Sequence, residues 1–246
     1  MILRRDRALL PIWVVWLGMI APIAASAFRS LYPTDAALAV AARGFATNPA
    51  FRAMFGPVFE MNLGSLTAWR ATIIHVVAAV VSLLTVIRHT RVEEETGRRE
   101  LIGSTVVGRH APLAAALLVV TAANLVLAAV TAVGLIVQGL EAGGAIALGM
   151  QIAATGIVFA GVGGLAAQLT ESAGGARAIA LSALGLAYVI RAAGDAADGV
   201  SWLTWLTPMG WVQRIRPFAG EQWWLLGAVL ALGAAAAAGA FALSAR

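Results

Sequence analysis

The chain has 246 residues, of which 61% are apolar and 12% are charged, and its mean hydropathy is +0.87. Soluble domains carry about 25% charged residues, so the composition argues against a water-soluble domain. All 17 basic residues are arginine, and lysine and cysteine are both absent. The missing lysine excludes a Walker A nucleotide site and Schiff-base catalysis. The missing cysteine excludes thiol nucleophiles, disulfides and thiolate zinc sites.

Six segments with no charged residue, or with charges only at their ends, predict membrane-spanning helices. A helix needs about 20 mainly apolar residues to cross a bilayer core, and six such segments argue against buried helices of a soluble core. The fifth segment reaches this length only if Arg177 and Arg191 lie near the two interfaces, where long side chains reach polar groups. The predicted fold is all-α, with residues 1–246 forming one transmembrane domain whose spans lie at about 8–28, 70–90, 112–138, 145–168, 177–195 and 222–244.

The first span has an alternative interpretation as a secretory signal peptide. A basic segment, RRDR, precedes it, and IAASA (23–27) resembles a cleavage site for signal peptidase. The apolar run is long, however, and Trp13, Trp16 and Pro22 interrupt it. We therefore expect this segment to be retained as a signal-anchor span.

The distribution of arginine predicts the orientation of the spans. With the N-terminus inside, ten arginines fall in cytoplasmic segments, and seven fall in outer segments that are much longer. Because cytoplasmic loops are enriched in basic residues, we predict that both termini lie inside. The basic pI then follows from membrane topology, and nucleic acid is not expected as a partner.

The connection from residue 29 to residue 69 contains a short helical pattern. Prolines at 33, 49 and 57 divide it, and DAALAVAARGF (35–45) has helical spacing with Asp35 in its first turn. Its small and aromatic residues predict an interfacial helix on the outer leaflet. A solvated loop is the alternative.

The connection from residue 88 to residue 111 carries nine charged residues, the densest cluster in the chain. Acidic and basic residues are spaced so that Glu94 can pair with Arg98 and Glu95 with Arg99, and Gly97 interrupts the helical pattern. A solvated cytoplasmic loop is one interpretation. The other is a short amphipathic helix that contacts a cytosolic partner.

The segment VSWLTWLTPMGWVQ (200–213) is apolar but too short to cross a membrane. It contains Trp202, Trp205 and Trp211, and Pro208 and Gly210 are expected to break it. Apolar runs of about 10–14 residues are typical of re-entrant segments, and tryptophan favours the headgroup level. The pattern predicts a broken, re-entrant hairpin at the outer leaflet, with a plain loop as the alternative.

The polar residues within the spans are few. Most are neutral, and we interpret them as interhelical hydrogen-bonding groups; they are His75, Asn124, Gln138, Gln151 and Gln168. Asp195 and Asp198 lie near Arg191, where an i,i+4 ion pair is expected.

Small residues spaced four apart, Ala160 with Gly164 and Gly233 with Ala237, predict close helix packing. The motifs of intramembrane proteases, GxSG and HExxH, are absent, and no span has a carboxylate at its centre. No catalytic residue, metal site or cofactor is expected.

The charged connection resembles the segment between the second and third spans of type-2 ATP-binding-cassette exporter permeases. In that family the segment forms the coupling helix, which docks on the nucleotide-binding subunit. The segment WLTWLTPMGWVQRIRPFAGEQWW (202–224) and the stretch from GPVFE to LGSLTAWR (56–70) also resemble the N-terminal half of actinobacterial exporters of polyketide antibiotics. In the segment that resembles the coupling helix, the matching positions are Glu93, Glu94, Glu95, Gly97, Glu100, Leu101, Ser104, Thr105 and Arg109. Val106 replaces a proline that is common after the threonine of this motif.

The resemblance implies a permease subunit of an ATP-driven exporter in the inner membrane of a bacterium. It would move an amphiphilic or drug-like substrate outward, with ATP hydrolysis in a separate subunit. Exporters of that group are often about twice as long as this chain, so a second permease half or a homodimer is expected. The alternatives are a secondary carrier or channel independent of ATP, and a half-permease that does not itself transport.

Overall fold

The computed structural model describes residues 9–92, 95, 110–197 and 199–244, and every regular element in these ranges is helical. Six helices in this part of the chain are long and apolar enough to cross a membrane, which confirms the predicted all-α fold with six spans. The helices are α1 (Leu9–Leu31), α2 (Asp35–Thr47), α3 (Pro49–Phe55), α4 (Leu63–Arg70), α5 (Thr72–Ile87), α6 (Ala111–Val137), α7 (Ala142–Leu169), α8 (Ala173–Ala196), α9 (Pro208–Gln213) and α10 (Trp223–Ser244).

The helix that contains the second span begins before the predicted membrane segment. Its helical stretch runs from Leu63 to Val92, and it consists of α4, α5 and a π-helical turn over Arg88–Val92. The Asn62 side chain starts α4 by accepting a hydrogen bond of 2.7 Å from the Ser65 amide. The helix therefore contains Arg70 and extends beyond the predicted segment 70–90, whose bounds within the membrane stay a prediction.

The central helix of the bundle is α7, which packs against α5, α6 and α10. Glycines allow its neighbours to approach closely. A Cβ atom at Gly149 would lie 2.5 Å from the Ala128 carbonyl oxygen of α6, and one at Gly163 would lie 2.8 Å from the Leu83 carbonyl oxygen of α5. Backbone-to-backbone contact of this kind is how small residues bring membrane helices together.

The small-residue packing predicted for α7 and α10 is confirmed. A Cβ atom at Gly161 would lie 3.0 Å from the Gly233 carbonyl oxygen and 3.3 Å from the Ala237 amide nitrogen. One turn further along α7, the Cβ position of Gly164 is 3.4 Å from the Cβ atom of Ala240. The interface therefore depends on small residues from both helices.

Replacing Gly149 with alanine is expected to destabilise the bundle by about 1–3 kcal/mol, the usual range for overpacking. The added methyl group would collide with a main-chain oxygen, which cannot move without shifting α6. Gly185→Ala in α8 is the control, because nothing lies within 4 Å of its Cβ position. Denaturant titration in detergent should separate the two variants, and equal stabilities would contradict the packing argument.

Helices α2 and α3 form a small unit beside the first and second spans. Thr34 caps α2 by accepting a hydrogen bond of 3.2 Å from the Ala37 amide, and Asn48 caps α3 through the Ala50 amide at 2.9 Å. Leu38 of α2 is buried in an aromatic cluster formed with residues of α3 and α4. The helix predicted over 35–45 is thus confirmed, and its contact with the outer leaflet stays a prediction.

Candidate functional site

The segment 200–213 folds as a hairpin of two short helical elements. A 3₁₀ turn over Ser201–Leu206 is followed by α9, and the Thr207 side chain caps α9 by accepting a 3.2 Å hydrogen bond from the Gly210 amide. Gly210 lies inside α9 and does not break the chain, which turns at Thr207–Pro208. A Cβ atom at Gly210 would lie 1.8 Å from the Thr204 carbonyl oxygen, so glycine allows the two arms to pack directly.

The tryptophans of the hairpin combine exposed rings with internal hydrogen bonds. Trp202 and Trp205 are exposed, whereas the half-buried Trp211 donates its Nε1 hydrogen to the Trp205 carbonyl oxygen at 2.7 Å. The Arg214 guanidinium lies 4.8 Å from the centre of the Trp205 ring and donates to the Thr204 hydroxyl at 2.8 Å. This mixture of apolar ring and polar edge suits the headgroup level, and the re-entrant position stays a prediction.

Gly210→Ala is expected to separate the two arms of the hairpin, because its Cβ atom has no room beside the Thr204 backbone. Met209 is 2% exposed, and the chain has no cysteine of its own, so Met209→Cys can report the separation through its rate of maleimide labelling. Adding Gly210→Ala should raise that rate about tenfold or more, as expected when about 1.4 kcal/mol of packing is lost. Gly44→Ala is the control, since its Cβ position is open, and equal rates would contradict the prediction.

Three consecutive carbonyl groups at the end of α3, those of Met54–Gly56, each accept side-chain hydrogen bonds from other parts of the fold. We call them the Met54–Gly56 carbonyl cluster. The last carbonyls of a helix lack partners within the helix and must find them elsewhere. Here the donors are Tyr188 (2.7 Å) and Arg191 (3.3 Å) to Met54, Thr72 (2.8 Å) and Gln213 (3.1 Å) to Phe55, and Trp69 (3.0 Å) to Gly56.

The carbonyl cluster connects three separate elements at one side of the bundle, which we call the hairpin side. The donors come from the second span, from α8 and from α9. Gly56 has φ of +88°, and a Cβ atom there would lie 2.4 Å from Gln213 Nε2. Both the backbone conformation and the contact therefore require glycine at this position.

Arg191 is the charged component of this arrangement. It is fully buried, forms the predicted i,i+4 ion pair with Asp195 at 3.3 Å, and lies 4.4 Å from the centre of the Tyr188 ring. A buried guanidinium is tolerated only where charge and hydrogen bonds compensate it, and Asp195 and the Met54 carbonyl supply both. Asp198, the other predicted acidic residue, lies outside the described residues.

Gln151 connects the centre of the bundle to the hairpin. Its Nε2 atom donates a 2.7 Å hydrogen bond to the Val212 carbonyl oxygen, which joins α7 to α9. His75 also lies beside Gln151 of α7, and it forms a second contact within its own span. Its Nδ1 atom lies 3.2 Å from the Ala71 carbonyl oxygen in the preceding turn of the same span, since a side chain four residues on can reach that group.

The other polar residues of the spans follow the prediction in part. Asn124 donates to the Ser82 hydroxyl at 2.9 Å and so joins α6 to α5. Gln138 donates to the Pro22 carbonyl oxygen of α1 at 3.0 Å. Gln168 makes no side-chain hydrogen bond with any residue of the described ranges.

Most of the predicted coupling segment lies outside the described residues, namely Glu93, Glu94, Gly97, Glu100, Leu101, Ser104, Thr105 and Arg109. Glu95 is described, and its carboxylate accepts a hydrogen bond from the Ala173 amide at the start of α8. On either side of the segment, Arg91 donates to the Ala167 carbonyl oxygen and His110 lies 2.8 Å from the Ser244 hydroxyl. Both ends of the segment are therefore tied to the bundle.

Glu95→Ala is expected to destabilise the first turn of α8 by about 0.5–2 kcal/mol, the usual effect of losing a helix-capping acceptor. Glu95→Gln retains an oxygen that can accept the bond and should lose much less. Hydrogen exchange of the amides of residues 173–176 measures the difference. Equal exchange in the two variants would show that the carboxylate does not stabilise this helix end.

The six long apolar helices define a multi-pass membrane protein. In sequence, the chain is 44% identical over 225 residues to the multidrug efflux system permease protein of Mycobacterium tuberculosis. The match covers 91% of this chain and 41% of the relative, so the chain spans about two fifths of that relative's length. No protein-family model matches the chain.

Proposed function

We propose that the chain is a permease domain of an ATP-driven exporter of the type-2 ATP-binding-cassette class, moving amphiphilic or drug-like molecules outward. The observation that carries the proposal is the 44% identity to a multidrug efflux permease across 91% of the chain. The six spans provide the membrane domain that such a protein needs. The sequence contains no lysine for a Walker A loop, so ATP hydrolysis belongs to a partner subunit.

The partner ATPase is proposed to dock on residues 93–109, on the cytoplasmic side of the inner membrane of a bacterium. The relative is more than twice as long as the aligned region, which leaves room for a second permease domain. We therefore propose that this chain works beside a second permease half or a second copy of itself.

Helix α8 is proposed to transmit a movement of the coupling segment on one side of the membrane to the hairpin on the other side. Its first residue, Ala173, is bound by Glu95 of the coupling segment, and Arg191 near its other end binds the Met54–Gly56 carbonyl cluster. The helix has 24 residues, which corresponds to about 36 Å at about 1.5 Å per residue. A shift of the coupling segment would then move the residues that hold the hairpin side closed.

The hairpin is proposed to form the outer gate. It is held by Gln151 from the bundle and by Gln213 through the carbonyl cluster. Release of these bonds would let α9 move away from α7 and open a path for substrate.

Transport in proteoliposomes tests the proposal. The chain is reconstituted with a Walker-type ATPase subunit that copurifies with it, and movement of a fluorescent amphiphilic dye is followed with and without ATP. ATP-dependent movement is expected, with none when the ATPase carries an inactive Walker A loop. Movement driven by an ion gradient without ATP would instead indicate a secondary carrier, and no movement under either condition would indicate a half-permease that does not transport.

A further inference from the structure

A long groove lies on the outer surface of the bundle between α1 and the second span. Helix α1 buries Leu17 and Ala21 against its neighbours and packs on α4, but it makes little contact with α5. The opening between them is a groove of about 940 Å³. Its apolar lining includes Ile12, Val15, Trp16, Met19, Ile23 and Ile73.

The groove is long enough to hold an acyl chain. Its lining on α1 runs from Pro11 to Ala24, which is about 20 Å at about 1.5 Å per residue. One leaflet contributes half of a hydrocarbon core of about 30 Å. The groove is therefore longer than the hydrocarbon depth of one leaflet.

Of the residues that the structure describes, one cation, Arg70, lines the groove, at the end toward the hairpin side. It is exposed, and its guanidinium lies 4.9 Å from the centre of the Phe55 ring. Arg70 makes no hydrogen bond or ion pair with a residue of the described part of the chain. By contrast, Arg29 donates to the Gln138 carbonyl oxygen and Arg191 pairs with Asp195.

The position of Arg70 along its helix places it at headgroup depth. Arg70 and Arg88 belong to one helical span, and the 18 residue steps from one to the other correspond to about 27 Å at about 1.5 Å per residue. This is close to the hydrocarbon thickness of about 30 Å. With Arg88 at one interface, the guanidinium of Arg70 lies at the other.

We propose that this groove binds a phospholipid with an anionic headgroup, whose phosphate contacts Arg70 and whose acyl chain lies along α1. Guanidinium groups bind phosphate through paired, charge-assisted hydrogen bonds, and Arg70 has donors to offer. Among the described residues, no acidic side chain lines the groove, so none of them would bind the ammonium group of a zwitterionic headgroup. Charge complementarity therefore favours an anionic lipid.

A second copy of the chain fits the groove less well. It would need to bring a carboxylate to the depth of Arg70. On the hairpin side, Glu141 already accepts hydrogen bonds from the Gly143 and Gly144 amides, and Glu221 accepts one from the Phe218 amide. These two carboxylates are engaged within the chain, and Glu60 accepts a hydrogen bond from Asn62. The exposed Asp35 of α2 is the described carboxylate that a second copy could offer on this side.

Native mass spectrometry of the 246-residue chain tests the proposal. The protein is released from nanodiscs containing equal amounts of phosphatidylglycerol and phosphatidylcholine, and the retained lipids are counted. The wild type is expected to retain phosphatidylglycerol about tenfold more often, a ratio equivalent to about 1.4 kcal/mol. Arg70→Gln should abolish this preference, whereas Arg43→Gln, which removes an exposed arginine from α2, should preserve it.

A second pair of variants tests the groove without changing its charge. Ile73→Trp places a bulky ring where the groove meets Arg70, and it should reduce lipid retention as strongly as Arg70→Gln does. Ile179→Trp is the control, since Ile179 is similarly exposed on α8. Equal retention of both lipids by the wild type, or unchanged retention in Arg70→Gln, would overturn the proposal.

Because the sequence has no cysteine, a single introduced cysteine can test whether a second copy of the chain occupies the groove. Trp16→Cys puts one thiol in the groove, and lipid occupancy predicts that oxidation gives little disulfide-linked dimer. Efficient crosslinking in the nanodisc would show that a second copy covers the groove, and this result would also overturn the proposal.

Discussion

Replacing Arg191 with leucine should destabilise the folded chain by about 3–5 kcal/mol, the usual effect of removing one partner of a buried ion pair. Asp195 would remain buried without its counter-charge, and the Met54 carbonyl would lose one of its two donors. The stacked contact with Tyr188 would be lost as well. Denaturant unfolding in detergent, followed by circular dichroism, measures the change.

A double-mutant cycle separates the ion pair from the other contacts of Arg191. Asp195→Leu alone leaves a buried arginine and should also be strongly destabilising. The double variant removes both charges and should be less destabilised than the sum of the single variants, because apolar residues can replace a buried pair at little cost. Arg177→Leu, at an exposed position of the same helix, should have little effect. Additive effects of the two single changes would show that the pair is not coupled.

The spans were predictable because burying a charge in a membrane is costly, so membrane-spanning segments contain few charged residues. Long segments without charged residues are typical of membrane helices, and the structure has a helix at each of them. The start of the helix that contains the second span was harder to predict. Arg70 suggests a boundary, but an arginine at headgroup depth is tolerated inside a helix, and the cap at Asn62 is the signal that would have located its start.

The Met54–Gly56 carbonyl cluster could not have been found from residue types. Main-chain carbonyls are present in every residue, and their partners lie 13 to 158 positions away in the sequence. Local signals do mark the element itself. Asn48 followed by Pro49 predicts a helix start, and Gly56 followed by Pro57 predicts its end. What the sequence lacks is the tertiary arrangement that brings Tyr188 and Gln213 to those groups.

The glycines of α7 show the same division between local and tertiary information. Their spacing predicts close packing and, correctly, the interface with α10. It does not predict that α7 is central, because the glycines face three different helices. The central position of α7 becomes clear only from the structure, in which Gly149 packs on the Ala128 carbonyl of α6 and Gly163 packs on the Leu83 carbonyl of α5.

Reversing the charge of Glu100 should reduce ATP-dependent export to background, at least tenfold below the unmodified chain. Glu100 belongs to the segment that resembles a coupling helix, and a residue central to an interface typically contributes about 2 kcal/mol or more, which corresponds to about thirtyfold in affinity. Glu100→Arg would place a cation where the ATPase is expected to contact an acidic group. The amount of ATPase that copurifies with the tagged chain should fall in parallel with transport.

The matched control is Glu171→Arg, which makes the same charge reversal at an exposed position in the connection between α7 and α8. If general repulsion between the chain and its partner were responsible, both variants would lose the ATPase equally. If Glu100 is part of the docking surface, only Glu100→Arg would lose it, while both variants unfold at the same denaturant concentration. Intact export in Glu100→Arg would refute the coupling role. The described bond between Glu95 and Ala173 would then be explained by the stability of α8.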